Sequence, residues 1–404
     1  MGIELLLILS IAVVLYTYAG YPALAYVLSR WFGRPIYKAD ITPRVAVIIA
    51  AYNEERDIAR KLENTLELDY PRDRLEILVA SDCSSDRTDE IVREYSARGV
   101  VLHRLPERLG KSVAQNRAAR TCAGEVLVFS DATTMYEPDA VRKIVRSFAD
   151  PQVGCVAGEL IYVDPGATAV GQGCRSYWSY EKLLKRSESR LGSLIGVSGC
   201  LYAVRRSNFS PIPLDMSSDF AIATEIHLQG LRTVYDHEAI AFEETNGRDR
   251  DEFRMRIRVI EQTMSALHRY AEVLDPRRHG LFAFQMISHK VLRYALPLFL
   301  IVAFISSAML VDSSSLYRLI FVAQAMFYAT ALAGWACERM GLRIGPLSLP
   351  YYFVLANAAS LAAFVKFVRG EAHLTWEPLR ESSNEASETS IPVGTSSLLR
   401  EHSS

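Results

Sequence analysis

Three aspartates and one lysine are the residues of this chain whose types and positions suggest chemistry: Asp82, Lys111, Asp131 and Asp219. A carboxylate that follows a strand can accept hydrogen bonds from a nucleoside or reach a hard cation, because Mg²⁺ takes carboxylate and phosphate oxygens. A carboxylate at a helix start can instead act as a general base. Each position also has an ordinary explanation, such as an Asx turn, a helix cap or a solvated lysine.

Two short apolar runs, 45–51 and 75–80, predict two strands, each of which is followed by polar residues. β-Branched runs bounded by helical stretches are typical of buried parallel strands. Ligands of such sheets bind beyond the carboxyl ends of the strands. The residues expected to line this edge as a nucleotide floor are Ala51, Tyr52, Asn53 and Glu54 after the first run and Asp82 after the second.

Strand-like and helix-like segments alternate from about residue 40 to residue 250, which predicts an α/β domain. Further strands are expected at 100–103, 125–130, 153–163 and 201–204. Neither G-x-G-x-x-G nor G-x-x-x-x-G-K-[ST] occurs, so glycine-rich phosphate loops of those two kinds are excluded. A bound diphosphate would have to be met by a metal and side chains.

The two ends of the chain are apolar. Residues 1–29 predict an N-terminal transmembrane helix, with a cleaved signal peptide as the alternative. Arg30, Arg34, Lys38 and Arg44 follow it, which places the next domain in the cytoplasm by the positive-inside rule. Residues 251–290 predict basic, interfacial helices, and residues 291–370 predict two or three further spans. Two would return the C-terminus to the cytoplasm, and three would place it outside.

Composition limits the partners. The net charge of −1 gives no reason to expect nucleic acid. The six cysteines show no paired spacing and are expected to be reduced in a cytoplasmic domain. Residues 381–404 are rich in Ser and Glu and predict a disordered tail.

Taken in order, the motifs resemble those of the family 2 glycosyltransferases, which are inverting enzymes with the GT-A fold. The resemblance covers about residues 45–244. Its pieces are the segments 47–55 (Val-Ile-Ile-Ala-Ala-Tyr-Asn-Glu-Glu), 81–88 (Ser-Asp-Cys-Ser-Ser-Asp-Arg-Thr), 110–111 (Gly-Lys), 129–133 (Phe-Ser-Asp-Ala-Thr), 196–199 (Gly-Val-Ser-Gly) and 218–219 (Ser-Asp).

The resemblance implies a role for each matched position. Ala51, Tyr52, Asn53, Glu54 and Asp82 would hold the nucleoside of a nucleotide-diphosphate sugar, with a UDP-sugar as the expected donor. Lys111 and Asp131 would face the diphosphate, and Asp131 would hold Mg²⁺ or Mn²⁺. Asp219 would be the base that deprotonates the acceptor.

Acceptor or phosphate candidates lie in a flexible loop and in a basic run: Gly199, Cys200, Arg256 and Arg258. The expected acceptor is a lipid-linked sugar or a growing surface polysaccharide. Polysaccharide-export proteins are the partners expected from this interpretation, and the cell membrane is the expected location.

The chain departs from the family pattern at three places. Thr133 replaces the second carboxylate of D-x-D, and Ser217 and Ser218 replace the residues that often precede the base. No Q-x-x-R-W pentad follows, since residues 254–262 read Arg-Met-Arg-Ile-Arg-Val-Ile-Glu-Gln, which argues against processive polymerisation. Two alternatives remain at this point: a sugar nucleotidyltransferase, and a transport or scaffold subunit that has lost catalysis.

Overall fold

An eight-stranded mixed sheet forms the centre of the computed structural model, which describes residues 2–163, 169–213, 216–244, 249–340, 342 and 345–370. The strands are β1 (Val45–Ala51), β2 (Leu75–Ser81), β3 (Val100–Arg104), β4 (Val126–Asp131), β5 (Met135–Tyr136), β6 (Val153–Val163), β7 (Leu201–Arg205) and β8 (Arg232–Glu244). Their order across the sheet is 3-2-1-4-7-6-8-5. The predicted α/β class is confirmed.

Helices cover both faces of the sheet and both ends of the chain. They are α1 (Gly2–Leu15), α2 (Tyr21–Phe32), α3 (Ile58–Leu66), α4 (Thr88–Glu94), α5 (Lys111–Thr121), α6 (Ala140–Val145), α7 (Ala169–Leu191), α8 (Ser218–Leu228), α9 (Asp249–Arg269), α10 (Pro276–Met286), α11 (Leu292–Met309), α12 (Ser315–Arg339) and α13 (Gly345–Val368). A π-helical turn at Tyr16–Gly20 joins α1 to α2.

The central strand β1 is buried over all seven residues because helices pack on both of its faces. Alternate side chains beginning at Val45 belong to the core that α3 closes, whereas Ala46 and Ile48 belong to the core that α5 and α8 close. Both sides of the strand must therefore be apolar, and its sequence is an unbroken apolar run rather than an alternating one.

Strand register brings the predicted polar positions to one edge. β1 pairs in parallel with both β2 and β4, with Ala51 opposite Ser81 and Ala50 opposite Asp131. Asp82 follows directly after β2, so its backbone N–H reaches the Ala51 carbonyl oxygen at 2.9 Å. The carboxyl ends of three neighbouring strands therefore share one edge.

Two strands were not anticipated. β5 and β8 pair antiparallel at the sheet margin, with Met135 opposite Phe242 and Tyr136 opposite Ala241. The sequence of β8 places four acidic residues among its apolar ones, so it lacks the uninterrupted apolar run of β1. This strand is stabilised by its long parallel pairing with β6, a tertiary contact that local pattern does not reveal.

Four helical segments of the described part of the chain are long and apolar enough to cross a membrane: Gly2–Phe32, Pro276–Met309, Ser315–Arg339 and Gly345–Val368. The last segment was ambiguous in sequence because it contains Pro350 and Asn357. It is one helix, in which the Asn357 side-chain amide donates to the Phe353 carbonyl oxygen at 2.8 Å. α13 packs on α7 and α9. The predicted tail 381–404 lies outside the described residues.

Candidate functional site

A cavity of about 980 Å³ lies between the carboxyl edge of the sheet and the helices α7, α9 and α13. Most of the residues singled out in the sequence line it: Asn53, Glu54, Lys111, Asp131, Gly199, Cys200, Asp219, Arg256 and Arg258. Ala51, Tyr52 and Asp82 do not line it. The structure thus brings together residues from six separate parts of the chain.

Lys111 and Asp131 form an ion pair inside the cavity. Lys111 is the first residue of α5, and it follows Gly110, whose φ of +95° favours glycine. Burial lowers the pKa of Lys111, but the Asp131 carboxylate outweighs it and leaves that pKa above its usual value. The lysine is therefore a permanent cation beside a carboxylate, a pair suited to meeting a diphosphate together with a divalent cation.

Asp82 holds the loop that leads into Lys111. Its carboxylate accepts the backbone N–H of Leu109 at 2.8 Å and that of Gly110 at 2.9 Å. Asp82 is 1% exposed, and this burial raises its pKa while the two backbone N–H groups act in the opposite direction. In this structure Asp82 therefore positions the start of α5.

The residues after β1 are joined to the residues after β2. Asn53 has a φ of +54°, and its side-chain oxygen accepts the Ser85 backbone N–H at 2.6 Å. The Glu54 backbone N–H donates to the Thr88 hydroxyl at 2.6 Å. Arg108 lies over the Tyr52 ring, with its guanidinium carbon 4.1 Å from the ring centroid. These contacts hold the segments after β1 and β2 against each other.

Asp219 lies in the first turn of α8 and lines the cavity. Its carboxylate accepts hydrogen bonds from the Ser217 hydroxyl and, at 3.0 Å, from the Phe220 backbone N–H. Its carbonyl oxygen accepts the Val197 backbone N–H at 2.9 Å, which joins α8 to the glycine loop. The carboxylate is therefore oriented by its own turn.

Gly199 lies close to both Lys111 and Asp219. A Cβ atom at Gly199 would lie 3.8 Å from the Asp219 Cβ and 3.9 Å from the Lys111 Nζ. The Lys111 ammonium group and the Asp219 side chain therefore both lie next to the small residue Gly199.

A glutamate that sequence reasoning missed stands beside the Asp131 turn. The Glu243 carboxylate lies 3.5 Å from the Thr133 hydroxyl, and it also lines the cavity. Burial, and after it the charge of Asp131, raises the pKa of Glu243 to about 7. The sequence signal that could have pointed to Glu243 is Thr133, because it stands where the family pattern has a second carboxylate.

A buried lysine supports the same turn from behind. Lys61 is fully buried, and its ammonium group donates to the Thr134 carbonyl oxygen at 2.5 Å and lies 3.7 Å from the centroid of the Tyr136 ring. Burial lowers the pKa of Lys61 to about 7. No sequence pattern marked this residue, because its role depends on a contact across 73 residues.

The two arginine candidates differ in their surroundings. Arg256 donates to the Glu252 carboxylate at 2.8 Å and contacts the hydroxyl of Tyr352, so it joins α9 to α13. Arg258 lines the cavity. Sequence reasoning missed further basic residues of the cavity wall, among them Arg293 and Lys185, which donates to the Ser198 hydroxyl at 2.8 Å.

Comparison with known proteins gives these features a family context. Residues 46–212 match the family model described as glycosyl transferase family 2. A poly-beta-1,6-N-acetyl-D-glucosamine synthase of Staphylococcus aureus is 26% identical over 215 residues, which are 52% of this chain and 52% of that protein. A probable glycosyltransferase of Bacillus subtilis is 37% identical over 132 residues, 31% of each chain. The chain thus spans about half the length of the synthase.

One solved structure resembles nearly the whole chain. It is a mannosyltransferase from Pyrobaculum calidifontis in complex with GDP-Man and Mn²⁺, with 26% sequence identity and a TM-score of 0.71. The match covers 91% of this chain and 99% of that one. At that coverage the match extends beyond the sheet into the apolar helices.

Proposed function

Residues 46–212 form a family 2 glycosyltransferase domain of the GT-A fold, and from this premise we propose that the protein is a membrane-bound, inverting glycosyltransferase. The donor is a nucleotide-diphosphate sugar, a UDP-sugar by preference. The acceptor is a lipid-linked sugar or a polysaccharide of the cell surface. The observation that carries the proposal is the convergence of Lys111, Asp131 and Asp219 on one cavity.

In this proposal the nucleotide-sugar donor binds at the carboxyl ends of β1, β2 and β4. We assign Asn53 and Glu54, which line the cavity, to the nucleoside, and Asp82 holds the turn before Lys111. Lys111 then meets the negative charge that develops on the leaving diphosphate as the bond to the anomeric carbon breaks.

A divalent cation fits the residues present. Asp131 and Thr133 offer hard oxygen ligands, and Mg²⁺ and Mn²⁺ are typically held by one or two carboxylates together with substrate phosphates. When bound, such a cation neutralises the diphosphate. The Pyrobaculum calidifontis structure, which contains GDP-Man and Mn²⁺, supports this choice.

Asp219 supplies the acceptor half. Its carboxylate takes the proton of the acceptor hydroxyl while the oxygen attacks the anomeric carbon from the side opposite the diphosphate. A single displacement of this kind inverts the configuration at that carbon. Ser217 keeps the carboxylate directed toward the cavity during this step.

The apolar helices support a location in the membrane. The helix formed by Gly2–Phe32 is followed by Arg34, Lys38 and Arg44, so we place the catalytic domain on the cytoplasmic face. α13 closes the cavity with Asn357 and Ser360, which brings the acceptor side of the site next to the membrane helices. An acceptor carried by a lipid, or a glycan passed to export partners, fits this position.

The test is a donor panel with the full chain purified in detergent. UDP-GlcNAc, UDP-Glc and GDP-Man are offered with Mn²⁺ and with Mg²⁺, and release of the nucleotide diphosphate is measured with and without membrane lipid extract. The proposal expects cation-dependent release from one donor and stimulation by the extract. Release of nucleotide diphosphate from none of them would contradict it.

A further inference from the structure

The turn formed by residues 131–133 corresponds to the D-x-D motif of the family but carries only one of its two carboxylates. Asp131 is followed two residues later by Thr133, so only one carboxylate comes from the turn itself. In the described part of the chain no group of three or more His, Cys, Asp or Glu side chains stands together as a metal site. A cation held here must therefore use few carboxylates, which is typical of ions that also bind substrate phosphates.

The pairing of β5 with β8 supplies a second carboxylate. Met135 lies opposite Phe242 in this antiparallel ladder, so the turn before β5 and the residue after Phe242 meet at the same end. Glu243 is that next residue, and its Oε1 lies 3.5 Å from the Thr133 Oγ1. This separation is long for a hydrogen bond between oxygens.

Both acidic side chains face the same charged space. Glu243 and Asp131 line the cavity with Lys111, and the ion pair between Lys111 and Asp131 fixes one side of it. The neighbouring Glu244 also lines the cavity, but its carboxylate lies next to an arginine rather than next to the Asp131 turn. Its carboxylate is 4.0 Å from Arg60, and its side chain is 55% exposed.

A buried lysine holds the backbone of the turn that contains Asp131 and Thr133. Lys61 donates to the Thr134 carbonyl oxygen at 2.5 Å from a fully buried position. A ligand group must be kept in place by its surroundings if it is to bind a cation with defined geometry. The contact of Lys61 fixes the backbone of the residue that follows Thr133.

We infer that Glu243 takes the place of the missing second carboxylate, so that Asp131, the Thr133 hydroxyl and Glu243 together hold the divalent cation of the donor site. The inference rests on the proposed function. Oxygen ligands of this kind, one hydroxyl and two carboxylates, suit Mg²⁺ and Mn²⁺.

The experiment measures Mn²⁺ binding directly, by the loss of the free-ion electron paramagnetic resonance signal, with the full chain in detergent and with UDP or GDP present. Glu243→Gln is expected to weaken Mn²⁺ binding by at least the roughly tenfold loss that removal of even an outer partner of a metal site produces. Glu238→Gln is the matched control on the same strand, because the Glu238 carboxylate pairs with Arg146 and does not line the cavity; this variant is expected to bind like the wild type.

A compensating variant guards against a folding defect. Thr133→Asp restores the second carboxylate within the turn, so Thr133→Asp combined with Glu243→Gln is expected to recover Mn²⁺ binding. Wild-type binding by Glu243→Gln alone would overturn the inference and leave the proposed function standing. Absence of nucleotide-dependent Mn²⁺ binding in the wild type would overturn both. Loss in Glu243→Gln without recovery in the combined variant would also overturn it.

Discussion

Lys111 and Asp219 both approach Gly199: a Cβ atom at Gly199 would lie 3.9 Å from the Lys111 Nζ and 3.8 Å from the Asp219 Cβ. The lysine is the first residue of α5, and the aspartate is the second residue of α8. Two helix starts therefore bring the lysine proposed to face the diphosphate and the proposed proton acceptor close to the same glycine.

Because both side chains lie close to Gly199, there is little room for a larger side chain at this position. Both separations are ordinary van der Waals contacts, so Gly199→Ala is expected to fold and to keep most of its activity. Gly199→Leu fills the space between the two charged groups and is expected to reduce kcat/KM by about 100-fold, the loss that a small misplacement of reacting groups produces. Nucleotide release and the thermal unfolding midpoint are measured for both variants. Equal activity of the two variants would show that this space is not used.

Ser217 is expected to act through Asp219. Removal of its hydroxyl in Ser217→Ala takes away a hydrogen bond to a carboxylate, which is worth about 1.5–3 kcal/mol, so kcat is expected to fall by about tenfold or more. The KM for the donor should change little, because the serine is not on the donor side. Ser217→Thr keeps a hydroxyl and should recover most of kcat. A change confined to the donor KM would contradict this role.

The role of Asp82 is tested by measuring two quantities together. As the acceptor of two backbone N–H groups, Asp82 should stabilise the turn before Lys111, so Asp82→Asn is expected to lower the free energy of unfolding by about 1–3 kcal/mol and to weaken donor binding. A direct nucleoside contact alone would weaken donor binding without changing stability. Chemical unfolding and nucleotide titration of the same variant separate the two roles.

His227 predicts a pH dependence of stability. Its ring stacks on Phe282 with centroids 3.7 Å apart, and burial, followed by the nearby His279, lowers the pKa of His227 to about 4. Between pH 6.5 and pH 4 the unfolded chain therefore binds more protons at this residue, so this contribution to stability falls as the pH falls through that window.

The comparison uses His227→Phe, which keeps an aromatic ring against Phe282 but does not titrate. Thermal unfolding midpoints in detergent are measured from pH 7.5 to pH 4.5. The variant is expected to lose less stability than the wild type on acidification. Identical pH profiles would contradict the assignment.

Much of the site followed from the sequence because short parallel strands place their next residues at a common edge. Asp131, Lys111 and Asp219 each follow or begin an element with a clear local signal, and the structure brings them to one cavity. Glu243 was missed because its partner Thr133 is 110 residues away and because β8 carries acidic residues within the strand. Arg256, predicted as an acceptor or phosphate candidate, lines the cavity, and its contact with Tyr352 is made by a helix pairing that local pattern does not show.

The most direct test of the account is the separation of chemistry from donor binding in Asp219→Asn. The substitution keeps the size of the side chain but removes the proton acceptor, so sugar transfer is expected to fall by a factor of about 10²–10⁴. Donor affinity, measured by titration of the nucleotide sugar with Mn²⁺, should stay near the wild-type value. Asp139→Asn, a surface carboxylate paired with Lys143 at 2.8 Å, is the matched control and should transfer sugar normally. Undiminished transfer by Asp219→Asn would contradict the account.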